Sequence, residues 1–303
     1  MKFSILFCLM IICQIASATS LSIQQLAPGI YVHFGESEMP DTLNHGEIAN
    51  IGFIVGNRCV AVIDTGGSPE QGFALRNAIK NTTQKPVCYV INTHVHPDHI
   101  YGNVAFKGSE VHFIGHEKLS RAMAMRGPYY INKAAEQLGI RLTADNLIQP
   151  DIIVKNIMKL DLGGRVLTLT AHPAAHTDND LTVFDQQTNT LWLSDLLFVE
   201  HLPVIDGSLK GWLSVIDGLE HNSYKLVIPG HGPIVTDWPK VVKPEKQYLL
   251  MLLNEIRAVI KKGEHLEKAV ATVGLSAQGH WKLFDQLHRK NVTTAFAELE
   301  WEE

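Results

Sequence analysis

The segment Thr93-His94-Val95-His96-Pro97-Asp98-His99 places three histidines and an aspartate within six residues. Imidazole and carboxylate are side chains with which proteins hold zinc, iron and manganese. Residues two apart in an extended turn point the same way, so His94 and His96 can share one ion. Pro97 suits the first position of a helix, which puts Asp98 and His99 in its first turn, directed at a second ion. Chance supplies H-x-H-x-D-H about 0.002 times in a chain of this length with 15 histidines. A solvated histidine-rich loop is therefore a poor account of it.

Two-ion chemistry needs more ligands, and three stand in matching contexts. His176 lies in Ala175-His176-Thr177-Asp178-Asn179-Asp180 beyond an apolar run at 166–170. Asp195 follows Leu191-Trp192-Leu193-Ser194, and His231 follows Leu226-Val227-Ile228-Pro229-Gly230. Each is expected at the carboxyl end of a strand, where α/β sheets place their ligands. Two cations about 3.5–4 Å apart can share a water, bring its pKa toward neutrality and polarise a carbonyl, which is hydrolytic chemistry.

The order His94-x-His96-x-Asp98-His99, His176, Asp195, His231, preceded by Val62-Ile63-Asp64-Thr65-Gly66, resembles the metallo-β-lactamase-fold (glyoxalase II-like) metallohydrolases over about residues 29–235. The resemblance implies an α/β fold, an αββα sandwich of two mixed β-sheets flanked by helices, with a helical C-terminal extension. It implies a dinuclear site of two zinc ions per chain, with iron or manganese as alternatives. His94, His96 and His176 would hold the first ion, Asp98, His99 and His231 the second, and Asp195 would bridge them. Asp98 and Asp195 are the catalytic candidates, Asp98 orienting a metal-bridging hydroxide and Asp195 fixing the metal spacing. Asn50-Ile51-Gly52-Phe53, Thr177-Asp178-Asn179-Asp180-Leu181 and Asp206-Gly207-Ser208-Leu209-Lys210-Gly211-Trp212 resemble, more narrowly, exported members associated with sulfur-oxidation and quinoprotein systems.

The expected activity is cleavage of an ester, thioester or lactone-like bond. Aspartate at 195 is similar to glyoxalase II and lactonase members, whereas true β-lactamases usually carry Cys or Ser there, which disfavours β-lactam hydrolysis. His96, where flavodiiron relatives carry Glu, argues against a di-iron oxygen reductase. A second reading is a mononuclear-iron persulfide dioxygenase using His94, His96 and His176. A third is a non-enzymatic metal-binding partner protein, against which Asp98 and Asp195 speak.

The elements that must position these residues are legible as well. Apolar, β-branched runs at Gly29–Phe34, Ile51–Val55 and Val60–Asp64 read as strands. Ser68-Pro69-Glu70-Gln71 has the form of a capped helix start, running to about Lys80. Val87–Thr93 then reads as a strand buried on both faces, completing a βαβ unit. Further strands are expected at Glu110–Ile114, Ile152–Met158, Val166–Thr170, Leu181–Phe184, Leu191–Leu193 and Leu226–Ile228. A helix is expected at His116–Arg126 and an amphipathic segment at Leu209–Leu219, with a helical or irregular insertion at 127–150. From Pro244, Tyr248, Leu249, Leu252, Ile256, Val259 and Ile260 recur at helical spacing, read as core packing. The division expected is 1–18 signal peptide, 19–240 hydrolase domain and 241–303 helical extension packed on the same domain.

At 46% hydrophobic residues and net charge −5, the chain can bury a large core and offers no basic field for nucleic acid. Lys2, the apolar run Phe3–Ile15 and Ala16-Ser17-Ala18 have the form of a secretory signal cleaved after Ala18. Gln14 interrupts the run, which is too short for a membrane anchor. The expectation is a protein of the bacterial periplasm, acting on a small molecule, with no stable membrane anchor. Cleavage leaves Cys59 and Cys88, expected as two buried free thiols because strand neighbours seldom meet disulfide geometry. The sequons at Asn81 and Asn291 matter only in a glycosylating cell. Asp64 is expected to orient a ligand histidine. His201 reaches either the cleft or a surface loop, while His45, His112, His116, His172 and His221 read as structural or solvated.

Overall fold

Strands buried on both faces carry near-continuous apolar runs, and the N-terminal half of this chain is built from them. The computed structural model describes residues 21–234 and 236–302, so the segment read as a secretory signal lies outside the described residues. The first sheet runs β1 (Gln24–Ala27), β2 (Ile30–His33), β3 (Ile51–Val55), β4 (Val60–Ile63), β5 (Val87–Ile91), β6 (His112–His116) and β7 (Ile152–Val154). The pairs up to β4 are antiparallel and those from β4 to β7 are parallel. Period-two alternation sends Ile51, Phe53, Val60 and Val62 toward α1 (Pro69–Thr82) and Ile54, Ala61 and Ile63 toward the second sheet. Ser68 caps α1 by accepting from Gln71 N at 3.2 Å, while the Gln71 side chain accepts from the Gly67 N–H.

After the short helix α2 (Pro97–Ile100) comes α3 (Leu119–Lys133), which takes in the first part of the 127–150 insertion. The run at 152–158 breaks at residues 155–156, so its halves, β7 and β8 (Ile157–Asp161), join different sheets. β9 (Val166–Ala171), β10 (Leu181–Asp185), β11 (Thr190–Phe198) and β12 (Leu226–His231) complete the second sheet in the order β12-β11-β10-β9-β8. Its outer face is covered by α4 (Leu209–Glu220), α5 (Lys243–Lys261), α6 (Leu266–Thr272) and α7 (Phe284–Leu299). Leu193 and Leu197 share one apolar cluster with Trp212, Leu252 and Val292. The layers are thus helix, sheet, sheet, helix: an αββα sandwich whose C-terminal helices pack on the second sheet.

Two expectations are corrected. Asp195 does not follow its strand but lies within β11, which continues to Phe198; register shifts and a left-handed Ser194 (φ 50°) bend the strand there. Cys59 and Cys88 are not free but disulfide-bonded, with Cα atoms 5.8 Å apart, in the range the bond requires. The β4–β5 register passes from Val60↔Val87 to Ala61↔Tyr89, so Cys88 has no partner on β4 and turns out of the ladder toward Cys59. The bond closes a loop of sequence separation 29. Replacing both cysteines by Ala is expected to cost about 3–4 kcal/mol through restored unfolded-state entropy, read as a lowered urea midpoint with an m-value that rises as the unfolded chain expands.

Candidate metal centre

The carboxyl ends of β4 and β5 meet the second sheet at one edge of the sandwich. Asp64 follows β4, and the segment 94–99 follows β5 and enters α2. Across from them stand His176 in the β9–β10 loop, Asp195 in β11 and His231 ending β12. All seven expected ligands are brought together. His94, His96, His176 and Asp195 form one group of converging donor atoms, and Asp98, His99 and His231 a second, each within 4.8 Å. Asp195 reaches both: Oδ2 lies 3.3 Å from His176 Nε2, 3.7 Å from His94 Nε2 and 3.3 Å from His231 Nε2, and Oδ1 lies 3.2 Å from His99 Nε2. Asp98 Oδ2 is 3.5 Å from His99 Nε2 and 3.4 Å from His231 Nε2.

Each imidazole is oriented by what its other nitrogen touches. A carbonyl can only accept, so Nδ1 is the donor in His176 (to Val204 O, 2.6 Å) and His231 (to Ile48 O, 2.8 Å). His99 Nδ1 bonds Asp64 Oδ2 at 2.8 Å. Thr93 Oγ1 gives its proton to Asp64 Oδ2 (2.7 Å) and so accepts from His94 Nδ1 at 3.0 Å. Four histidines thereby present Nε2 to the centre. His96 is reversed: its Nε2 bonds Asp206 Oδ2 at 2.8 Å, and Nδ1 faces His176 Nε2 at 3.0 Å. Asp64, buried and left-handed (φ 54°), also accepts from Thr93 N, as the expected orienting carboxylate.

Buried groups this close shift one another strongly. Burial, then the charge of His99, holds His94 well below the ordinary imidazole range, and burial takes His176 down to about 3. Burial acts in the same direction on His99 and His231, but the Asp195 and Asp98 carboxylates outweigh it, lifting His99 well above its usual value and His231 to about 9. Burial would raise Asp98 and Asp195, yet the charge of His99 and His231 keeps both well below the carboxylate range. His94 Nε2, His99 Nε2 and Asp195 Oδ1 are buried and make no hydrogen bond. Orphaned donor atoms converging from histidine and aspartate fit divalent cations.

Several site residues carry no role in the sequence reading. Asp206 appears there only within a quoted motif, yet it holds His96 and is itself gripped by Arg126 of α3. The motif's other residues bracket the His176 loop: Asp206 N donates to His176 O at 2.9 Å, Ser208 N to Ala175 O at 2.8 Å, and a Cβ on Gly207 would press on the carbonyls of Ala175 and Thr177. From α7, buried Asn291 accepts from Ile205 N (2.9 Å) and donates to Pro203 O (2.6 Å), fixing the stretch that carries Val204 O and Asp206. Asn50 does the same beside His231, donating through Nδ2 to Pro229 O (2.9 Å) and Gly232 O (2.8 Å). A Cβ on Gly230 would overlap Asp195 Oδ1. His201 lies in the cleft, its ring 4.9 Å from that of His231, and burial pushes it down to about 4. His45, His112, His116, His172 and His221 join neither ligand group.

Residues 46–231 match the model of the metallo-beta-lactamase superfamily, and the chain belongs to that superfamily. Among solved structures it is similar to a stereoselective inverting sec-alkylsulfatase from Pseudomonas sp. (16% identity, TM-score 0.73), with 93% of this chain matched to 51% of that one. The chain thus spans about half the length of the alkylsulfatase. It is also similar to metallo-beta-lactamases from Pontibacter korlensis (21% identity, TM-score 0.61, 76% of this chain and 99% of that one) and Hirschia baltica (20%, 0.59, 76% and 97%). At these identities the likeness defines the fold. No curated protein matches the sequence.

Two predictions follow from the geometry. A cation must displace the protons that Asp98 and Asp195 hold on His99 and His231, so zinc affinity rises with pH until His231 titrates near about 9. Calorimetry at pH 7 in buffers of different protonation enthalpy is expected to count about two protons released per chain. Asp206→Ala, which frees the His96 ring, is expected to lower zinc affinity about 10–100-fold by chelator competition, with far-UV circular dichroism unchanged.

Proposed function

We propose that the protein is a dinuclear zinc hydrolase of the bacterial periplasm that cleaves an ester, thioester or lactone-like bond in a small molecule. The observation that carries the reading is Asp195, whose two oxygens lie within 3.7 Å of histidines from both ligand groups. A single-iron site built on His94, His96 and His176 leaves the neighbouring trio Asp98, His99 and His231 without a purpose. The Cys59–Cys88 disulfide supports export, since such bonds persist in oxidising compartments.

Two zinc ions held here would supply Lewis acidity and lower the pKa of an attacking water. The chain's own contribution is placement. His94, His96, His176 and Asp195 hold one side of the centre and Asp98, His99 and His231 the other, with Asp64, Thr93 and backbone carbonyls fixing the rings. Asp98 lines the cleft and stays ionised, so its carboxylate can orient an attacking water. Phe198 and His201 close one wall against solvent, His201 as a neutral ring. Asp195 in the position that β-lactamases give to Cys or Ser places β-lactams outside the proposal.

Elemental analysis of protein purified from its own host is expected to give about two zincs per chain, with turnover of an ester, thioester and lactone panel independent of oxygen. About one iron with oxygen uptake would overturn the proposal in favour of a persulfide dioxygenase. Asp195→Ala is expected to lose metal and turnover together; a fully active variant retaining two metals would remove Asp195 from its assigned role.

A further inference from the structure

The cleft over the ligand cluster has a property that hydrolysis alone does not require. Asp98, Asp195 and His231 line it, together with Met39, Ile48, Met125, Tyr129, Val204 and Leu287, around a cavity of about 460 Å³. That volume suits a small organic ligand. Met125 and Tyr129 stand one turn apart on α3 and are 70% and 60% exposed; Met39, from the loop before β3, is 39% exposed. Large apolar side chains gathered open to water around one concavity are the mark of a binding surface, whereas single ones elsewhere need no explanation. The flexible thioethers of Met39 and Met125 can follow the contour of a chain that lies along them. Of the charged side chains at this mouth, Arg126 is engaged by Asp206, Glu38 and Lys290 stand at the rim, and Lys133 Nζ lies 5.9 Å from the Tyr129 ring centroid.

Resting on the hydrolase reading, we propose that the cleft selects esters or thioesters whose acyl group is an extended apolar chain. The chain lies along Met125 and Tyr129, and the scissile carbonyl sits at the Asp98–Asp195 end of the same cavity. Continuity of the apolar walls with the ligand cluster is what assigns the surface to substrate rather than to a protein partner. The acyl chain loses water against these side chains, so each methylene that enters adds binding energy.

The test uses the metal-replete protein and two independent readouts. The first is hydrolysis of p-nitrophenyl acetate, butyrate, hexanoate and octanoate; kcat/KM is expected to rise roughly two- to fourfold per methylene, so that octanoate exceeds acetate by about sixtyfold or more. The second is calorimetric titration with butyrate and octanoate, carboxylates that do not turn over. Octanoate is expected to bind at least about tenfold tighter, with the more negative heat-capacity change. Met125→Ser with Tyr129→Ser is expected to collapse both ratios, and the two exposed positions spare the fold, as circular dichroism will show. Rates and affinities indifferent to chain length would overturn the proposal and return the rim to a macromolecular contact. Preferential octanoate binding without hydrolysis of any ester would instead uphold the apolar cleft and defeat the hydrolase reading beneath it.

Discussion

A carboxylate buried among four imidazoles is the constraint on which the rest of this structure depends. Taking an ion the size of the Asp195 carboxylate out of water costs several kcal/mol unless charge and hydrogen bonds replace the lost hydration. Here the replacement is His99 and His231, which the same carboxylate holds in their charged form, or a cation in place of their protons. The backbone is shaped to deliver that one side chain. Ser194 takes a left-handed conformation within a strand, and Gly230 gives up any side chain so that Asp195 Oδ1 has room. Removing the carboxylate would leave the charged rings of His99 and His231 with Asp98 and Asp64 alone to balance them, and the neutral His94 and His176 without the group they converge on.

Around it lies a shell of acceptors that decides which ring nitrogen faces inward. Two of these acceptors, Ile48 O and Val204 O, belong to loop backbone, and loops hold position only if something anchors them. Buried asparagines supply the anchors, Asn50 at the turn after His231 and Asn291 at the stretch before Asp206, each with its amide satisfied by main-chain groups from a distant part of the chain. Asn291 also shows why a sequon is only a pattern: fully buried and bonded, it is closed to glycosylation in the folded protein. The C-terminal helices thus contribute to the centre through polar side chains, Asn291 and Glu298 of α7 and Glu245 of α5, as well as through apolar packing.

What the sequence revealed and what it hid divide along a physical line. Ligand types, their order and the strands that precede them were legible because metal binding demands particular side chains and buried strands demand apolar runs. β3 was read to the residue, and α1 was found from its cap. What was hidden depends on register between strands distant in sequence. The Cys59–Cys88 bond arises from a one-residue slip between β4 and β5, and the placement of Asp195 inside β11 from irregularities in its pairing with β12. Neither leaves a trace in composition or spacing. Arg126 likewise looks like any helical arginine until α3 is packed and Asp206 stands beside it.

The reversed orientation of His96 joins the metal centre to the cleft. The other ligand histidines are held by Thr93, by Asp64 or by the main-chain carbonyls of Ile48 and Val204. His96 alone is held by Asp206, and Asp206 by Arg126, whose helix also carries Met125 and Tyr129. Any group that settles against that face of α3 therefore lies on the helix whose Arg126 holds Asp206 in place. The wall that would meet the substrate and the arginine that grips the His96 partner Asp206 are parts of one helix.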